Sequence, residues 1–174
     1  MIHVRRSLPS IAPNKTTCKT LAAGQTPSSS FSTWLAGEVN ANNMFSAWAL
    51  GYGNTSTDFG PSSPESQQMM GAYGLAANVN SFLNGGPSSG FQQFGFSGLF
   101  SSGTNMTAQF VGSYGWSMSL SNGNLNITLT NATTPYSFFY HAPGLNPNPP
   151  IRSNTGWNPM GRVNQIFHIQ VPCS

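Results

Sequence analysis

Three acidic residues, three histidines and two cysteines are all that this 174-residue chain offers to most catalytic chemistries. A paired-carboxylate glycosidase needs two close acids. Glu38, Asp58 and Glu65 all fall in the N-terminal half, and Glu65 suits the favourable field at a helix N-terminus. A two-metal nuclease needs more carboxylates than the chain has. No His or Cys spacing fits zinc, no glycine-rich phosphate loop follows a strand, and no Gly-x-Ser-x-Gly elbow occurs. The pattern therefore excludes most hydrolases that work through acids or metals. It calls for no metal and no cofactor.

A smaller set near the C-terminus remains. His141 follows Phe138-Phe139-Tyr140 and precedes Ala142-Pro143, which places it at a strand end. Arg162, Asn164 and Gln165 open the last apolar-alternating run. With His141 as general base, Arg162 as charge stabiliser and Tyr140 as orienting group or proton donor, this set suits transferase or metal-free ribonuclease chemistry. The plainer assignment makes His141 a strand-end residue and pins Arg162 under a proline-rich loop. A binding role is the other alternative: Trp116 or Trp157 as an aromatic platform beside amides such as Asn164 and Gln165 would suit a sugar. His168 alternates with Asn164, Ile166 and Gln170, opposite Phe167 and Ile169, and reads as a half-exposed strand residue.

The elements that must position these residues follow from spacing. Residues 1–30, with Pro9, Pro13, Pro27 and a Ser28-Ser29-Ser30 run, read as an irregular arm, leaving 31–174 as one α+β domain. Trp34, Leu35, Val39, Phe45, Trp48 and Ala49 have helical spacing from Phe31 to about Leu50, and Gly51–Ser62 reads as a loop. Ser63-Pro64-Glu65 reads as N-cap, first-turn proline and acidic first turn of a second helix, closed by Asn84-Gly85-Gly86. Asn122-Gly123 between Trp116–Leu120 and Leu125–Leu129 predicts a hairpin whose apolar residues alternate with Ser, Asn and Thr. Tyr136–His141 and Val163–Val171 read as two more strands, separated by a loop, Pro143–Pro159, that holds five prolines. Two N-terminal helices packed on an antiparallel sheet of about four or more strands is the expected fold.

Composition bounds the setting. Charged residues make up only 5%, yet 12 Phe, 5 Tyr and 4 Trp supply large buried areas, so the chain folds rather than staying disordered. Arg5, Arg6, Lys15 and Lys19 place +4 in the arm, while Arg152 and Arg162 against Glu38, Asp58 and Glu65 leave the body at −1. Nucleic acid is not an expected partner, because the body has no basic stripe. No apolar run reaches the ~20 residues of a membrane span, and no apolar segment follows the N-terminal Arg pair as in a secretory signal. Cys18 and Cys173 lie near opposite ends: they are either a terminus-to-terminus disulfide or two separate thiols.

An ordered series of short motifs carries a family resemblance. Gly60-Pro61-Ser62-Ser63-Pro64 with Met69-Met70, Gly98-Leu99-Phe100, and Gln109-Phe110-Val111-Gly112-Ser113-Tyr114 come first. Ser137-Phe138-Phe139-Tyr140-His141 and Gly161-Arg162-Val163-Asn164-Gln165-Ile166-Phe167 complete it. Over roughly residues 50–172 this order resembles C-terminal segments of bacterial RHS/YD-repeat proteins. Such proteins export variable C-terminal domains, many of them toxins against competing cells. The resemblance implies an exported effector of the polymorphic-toxin kind, delivered by a dedicated system without a classical signal peptide, with a cognate immunity protein as partner. The alternative is a non-enzymatic module that binds a surface glycan or a protein target.

Overall fold

The computed structural model describes Cys18, residues 31–52, 54–94, 105–138 and 159–173, and the isolated positions Gly144, Asn146, Pro149 and Ile151. The elements run in chain order as α1 (Phe31–Leu50), β1 (Ser56–Phe59), α2 (Pro64–Met69), α3 (Leu75–Leu83) and β2 (Ser89–Gln92). Then come α4 (Met106–Val111), β3 (Tyr114–Ser121), β4 (Asn124–Thr133), the short helix α5 (Pro135–Phe138) and β5 (Val163–Pro172). The protein is α+β, with a five-stranded sheet in the order β1-β5-β4-β3-β2.

The sheet is mixed, which corrects the expectation of an antiparallel one. β2, β3, β4 and β5 pair antiparallel, but β1 lies parallel to β5, with Ser56 opposite Asn164 and Phe59 opposite Phe167. β1 comes from the stretch read as a loop: four residues are too few for alternation to stand out. From β1 at one edge the chain crosses beneath the sheet through α2 and α3 to reach β2 at the other edge.

Local chemistry explains the helix boundaries. The Ser63 side chain accepts the Ser66 N–H at 3.1 Å, and Pro64 begins the helix where its missing N–H costs nothing. The expected single second helix is broken in two, because Gly74 has φ +79°. The Gln92 side chain fills the space where a Cβ at Gly74 would stand, so the break and the packing of β2 against it belong together. Asn84 and Gly85, with φ +91° at Gly85, end α3 as expected. Tyr136, read as the start of a strand, lies in α5 after Pro135; Phe139 to His141 fall outside the described residues.

The hairpin is where the sequence places it. Asn122 and Gly123 both have positive φ, +51° and +73°, as a two-residue turn between twisted strands requires. Gly123 also accepts the Cys173 N–H through its carbonyl at 2.7 Å, fastening the end of β5 to the turn. Strand alternation then makes one face of the sheet apolar. Tyr114, Trp116 and Met118 of β3, Leu125, Ile127 and Leu129 of β4, and Phe167, Ile169 and Val171 of β5 are buried in one cluster with α2, α3 and α4. Phe59 stacks on Phe167 with ring centroids 4.9 Å apart. Gly90 leaves room for the Trp116 ring, since a Cβ there would come within 2.7 Å of the ring.

A second, smaller cluster of Trp48, Phe110 and Val163 joins α1 to the start of β5. The Trp48 indole N–H donates to the Gly161 carbonyl at 3.0 Å, and the Trp48 carbonyl accepts the Met160 N–H at 2.9 Å. Cys18 and Cys173 are disulfide-bonded across 155 residues, with Cα atoms 4.9 Å apart and both residues buried in the main cluster. The one described residue of the arm is thus part of the core. The rest of the arm lies outside the described residues.

Two stability effects follow. Replacing both cysteines by serine lowers the unfolding free energy by about 2–5 kcal/mol, because the loop the bond closes spans most of the chain. Gly123→Ala costs about 1 kcal/mol through its positive φ. Urea denaturation of each variant measures both, and a Gly123→Ala change within error would refute the turn geometry.

Candidate functional site

Strand alternation that buries one face exposes the other. On β5 the outward residues are Asn164, Ile166, His168 and Gln170; on β4, Asn126, Thr128 and Thr130. Ser117 and Ser119 of β3 continue the rows, with Ser89 and Phe91 on β2 and Ser56 and Asp58 on β1. All of these are exposed or half-buried. The result is a face of hydroxyls and amides, with cross-strand bonds such as Gln170 Nε2 to Asn126 Oδ1 at 3.0 Å.

On this face an acid, an imidazole and a hydroxyl come together, with His168 opposite Thr128 and Asp58 reaching it diagonally from its place opposite Ile166. His168 Nε2 lies 3.0 Å from Asp58 Oδ1, and His168 Nδ1 lies 3.5 Å from Thr128 Oγ1. With Nε2–H donating to the carboxylate, Nδ1 is left to accept from the threonine, the order used by nucleophile–base–acid relays. The second contact is long for an O–H donor. The side chains of His168 and Asp58 are 40% and 63% exposed, so water screens the pair, and it contributes ~0–1 kcal/mol.

A cavity of about 730 Å³ opens at one end of the same face. Here β1, β3 and β5 begin while β2 and β4 end, so five strand termini surround it. Phe91, 70% exposed, stands beside Gly115, whose missing side chain leaves the floor low. The Thr130 hydroxyl occupies the space above that glycine, 2.8 Å from where a Cβ would be. Tyr136 of α5, just past the end of β4, also borders the cavity. Arg162 and Asn164 enter from β5 and touch each other, Arg162 Nε to Asn164 Oδ1 at 3.4 Å.

Gln165 contributes differently. It points to the apolar side, is 4% exposed, and its Oε1 accepts from Asn131 Nδ2 at 2.7 Å and from Thr133 Oγ1 at 3.0 Å. This closed network ties β4 to β5 directly behind the cavity. Nearby, the Tyr114 hydroxyl donates to the Tyr73 carbonyl at 2.7 Å, and burial pushes its ionisation far above the ordinary tyrosine range.

The structure thus brings Arg162, Asn164 and Gln165 to one cavity, with Gln165 as its support. Trp116 does not join them: it sits in the helix-covered core at 8% exposure, because its position in β3 alternates onto the apolar face. Its ring is therefore not an open platform. His141, Tyr140 and Trp157 lie outside the described residues. Sequence reading missed the Asp58–His168 pair, which needs the parallel β1–β5 register, and missed Phe91, whose four-residue strand carries little signal. Among the described residues no three His, Cys, Asp or Glu side chains gather as a metal site. No described helix is long and apolar enough to cross a membrane. No protein family, curated protein or solved structure matches the chain, so the RHS/YD-repeat resemblance stands on its motifs alone.

The geometry separates two kinds of polar residue by their cost of removal. Gln165→Leu takes the acceptor from the Thr133 hydroxyl and one of two acceptors from the Asn131 amide, and destabilises by about 1–3 kcal/mol. His168→Gln changes stability by less than about 1 kcal/mol, as for other exposed ion pairs. Urea midpoints of the two variants check the ordering.

Proposed function

We propose that this domain binds carbohydrate outside the cytoplasm, in the cavity at the strand ends of its polar sheet face. The observation that carries the reading is the pairing of the exposed Phe91 ring with amide and hydroxyl groups around one open cavity. A sugar presents apolar C–H patches and a dense set of hydroxyls, and it needs an apolar surface flanked by neutral donors and acceptors. Asn164, Thr130 and Ser56 supply the polar groups, and Phe91 and Ile166 the apolar contact. Convergent polar groups in a partly apolar concavity are the usual form of small-ligand sites. The buried disulfide supports an extracytoplasmic setting, since such bonds persist in oxidising compartments.

A second reading keeps the domain as an exported effector in bacterial competition, with an immunity protein as partner. The Asp58–His168–Thr128 set favours it, as an acid-oriented imidazole beside a hydroxyl. In that reading His168 competes with the earlier set of His141, Arg162 and Tyr140 for the general-base role.

Two measurements separate the readings. Phe91→Ala and Asn164→Ala each weaken oligosaccharide binding about tenfold in calorimetric titration, near 1.4 kcal/mol, with an unchanged melting temperature. Binding of no member of a broad oligosaccharide array by the wild-type domain would refute the carbohydrate reading. Periplasmic expression that arrests bacterial growth, with arrest relieved by His168→Ala, would establish the effector instead.

A further inference from the structure

The cavity holds a charge that neutral sugars would not require. Among its described lining residues Arg162 is the only one that carries a permanent charge. Among the described residues its side chain makes a single polar contact, the 3.4 Å approach of Nε to Asn164 Oδ1. A guanidinium has five N–H donors, so most of this donor set is without an acceptor among those residues. The nearest acid along the face, Asp58, is engaged with His168 at 3.0 Å and does not line the cavity.

A half-buried cation in a neutral, hydrogen-bonding concavity is suited to an anion of matching shape. The planar fork of Arg takes a carboxylate through two parallel N–H donors, and such charge-assisted bonds are about twice as strong as neutral ones. A polyphosphate or nucleic-acid backbone would call for several cations, and among its described lining residues this cavity has one. The groups around Arg162 are those that hold sugar hydroxyls: the Asn164 amide and the hydroxyls of Thr130 and Ser56.

We infer that the cavity selects acidic carbohydrate, with Arg162 taking the carboxylate of a uronic-acid residue while Asn164 and Phe91 hold the same sugar unit. The inference rests on the carbohydrate reading above and names the class of sugar. Discrimination then depends on one charge. Removing the anion from the ligand and removing the cation from the protein should have the same effect.

The test uses the full chain and a panel of oligomers of galacturonic, mannuronic and glucuronic acid, each beside its methyl ester. The ester keeps the ring and its hydroxyls and loses the charge. At least one acid binds the wild type about tenfold or more tightly than its ester, and the preference shrinks as salt is raised. In Arg162→Ala and Arg162→Gln that preference falls to about one while the binding of the ester is kept; Arg162→Lys, with charge but no fork, restores part of it. Two variants guard against a folding defect in either. Equal binding of acid and ester by the wild type, or a preference that survives in both Arg162 variants, overturns the inference. In that case ester binding sensitive to Phe91→Ala leaves the carbohydrate reading standing. Absence of binding to every acid and ester, and to every member of the oligosaccharide array, removes both.

Discussion

β5 is held from every side, and the rest of the structure is arranged by that. It pairs with β4 along ten residues and with β1 along four, so it lies inside the sheet rather than at an edge. Its start is fastened to α1 by the bonds of Trp48 with Met160 and Gly161. Its end is fastened twice, by the Cys173 N–H to Gly123 and by the bond to Cys18. Because side chains alternate along a strand, fixing this register fixes both faces at once. Phe167, Ile169 and Val171 turn toward the helices, while Asn164, Ile166 and His168 turn outward. A slip of one residue would bury the amides and expose the core.

The same alternation lets a chain with 5% charge keep a wet face. Ser, Thr and Asn on β3 and β4 do what Lys and Glu do on most surfaces. Their groups bond across strands, as Asn126 does with Gln170, and their short side chains lose less rotamer freedom than long charged ones. What results is a sheet face on which hydroxyls and amides greatly outnumber charges among the described residues. A single cation such as Arg162 then stands out against its surroundings more than it would on a charged surface.

The hairpin and the pattern of β5 were legible because they rest on local rules: Asn122-Gly123 permits positive φ at both positions, and period-two alternation runs through Val163–Pro172. The Ser63 cap was legible for the same reason. β1 and β2 were not, since each has four residues and gains its identity from a neighbour distant in the chain. The break at Gly74 was hidden because apolar residues resume a helical spacing beyond it, and only the Gln92 contact shows why the turn is needed. Arg162, Asn164 and Gln165 were singled out through their place at a strand start, and they line one cavity. The role of Gln165 as a buried acceptor depends on Asn131 and Thr133, more than thirty positions away. Trp116 was misplaced because an aromatic ring on an amphipathic strand belongs to whichever face the register assigns.

The bond between Cys18 and Cys173 has a mechanical meaning as well. A stretching force entering through residues before 18 and leaving after 173 would pass through one covalent link 4.9 Å long between Cα atoms. The loop between them, residues 19–172, would carry no tension. The sheet, the hairpin and the cavity are thereby uncoupled from any load on the chain's ends. A ligand in the cavity could be held against flow or shear without the pull of the tether reaching the strands that grip it.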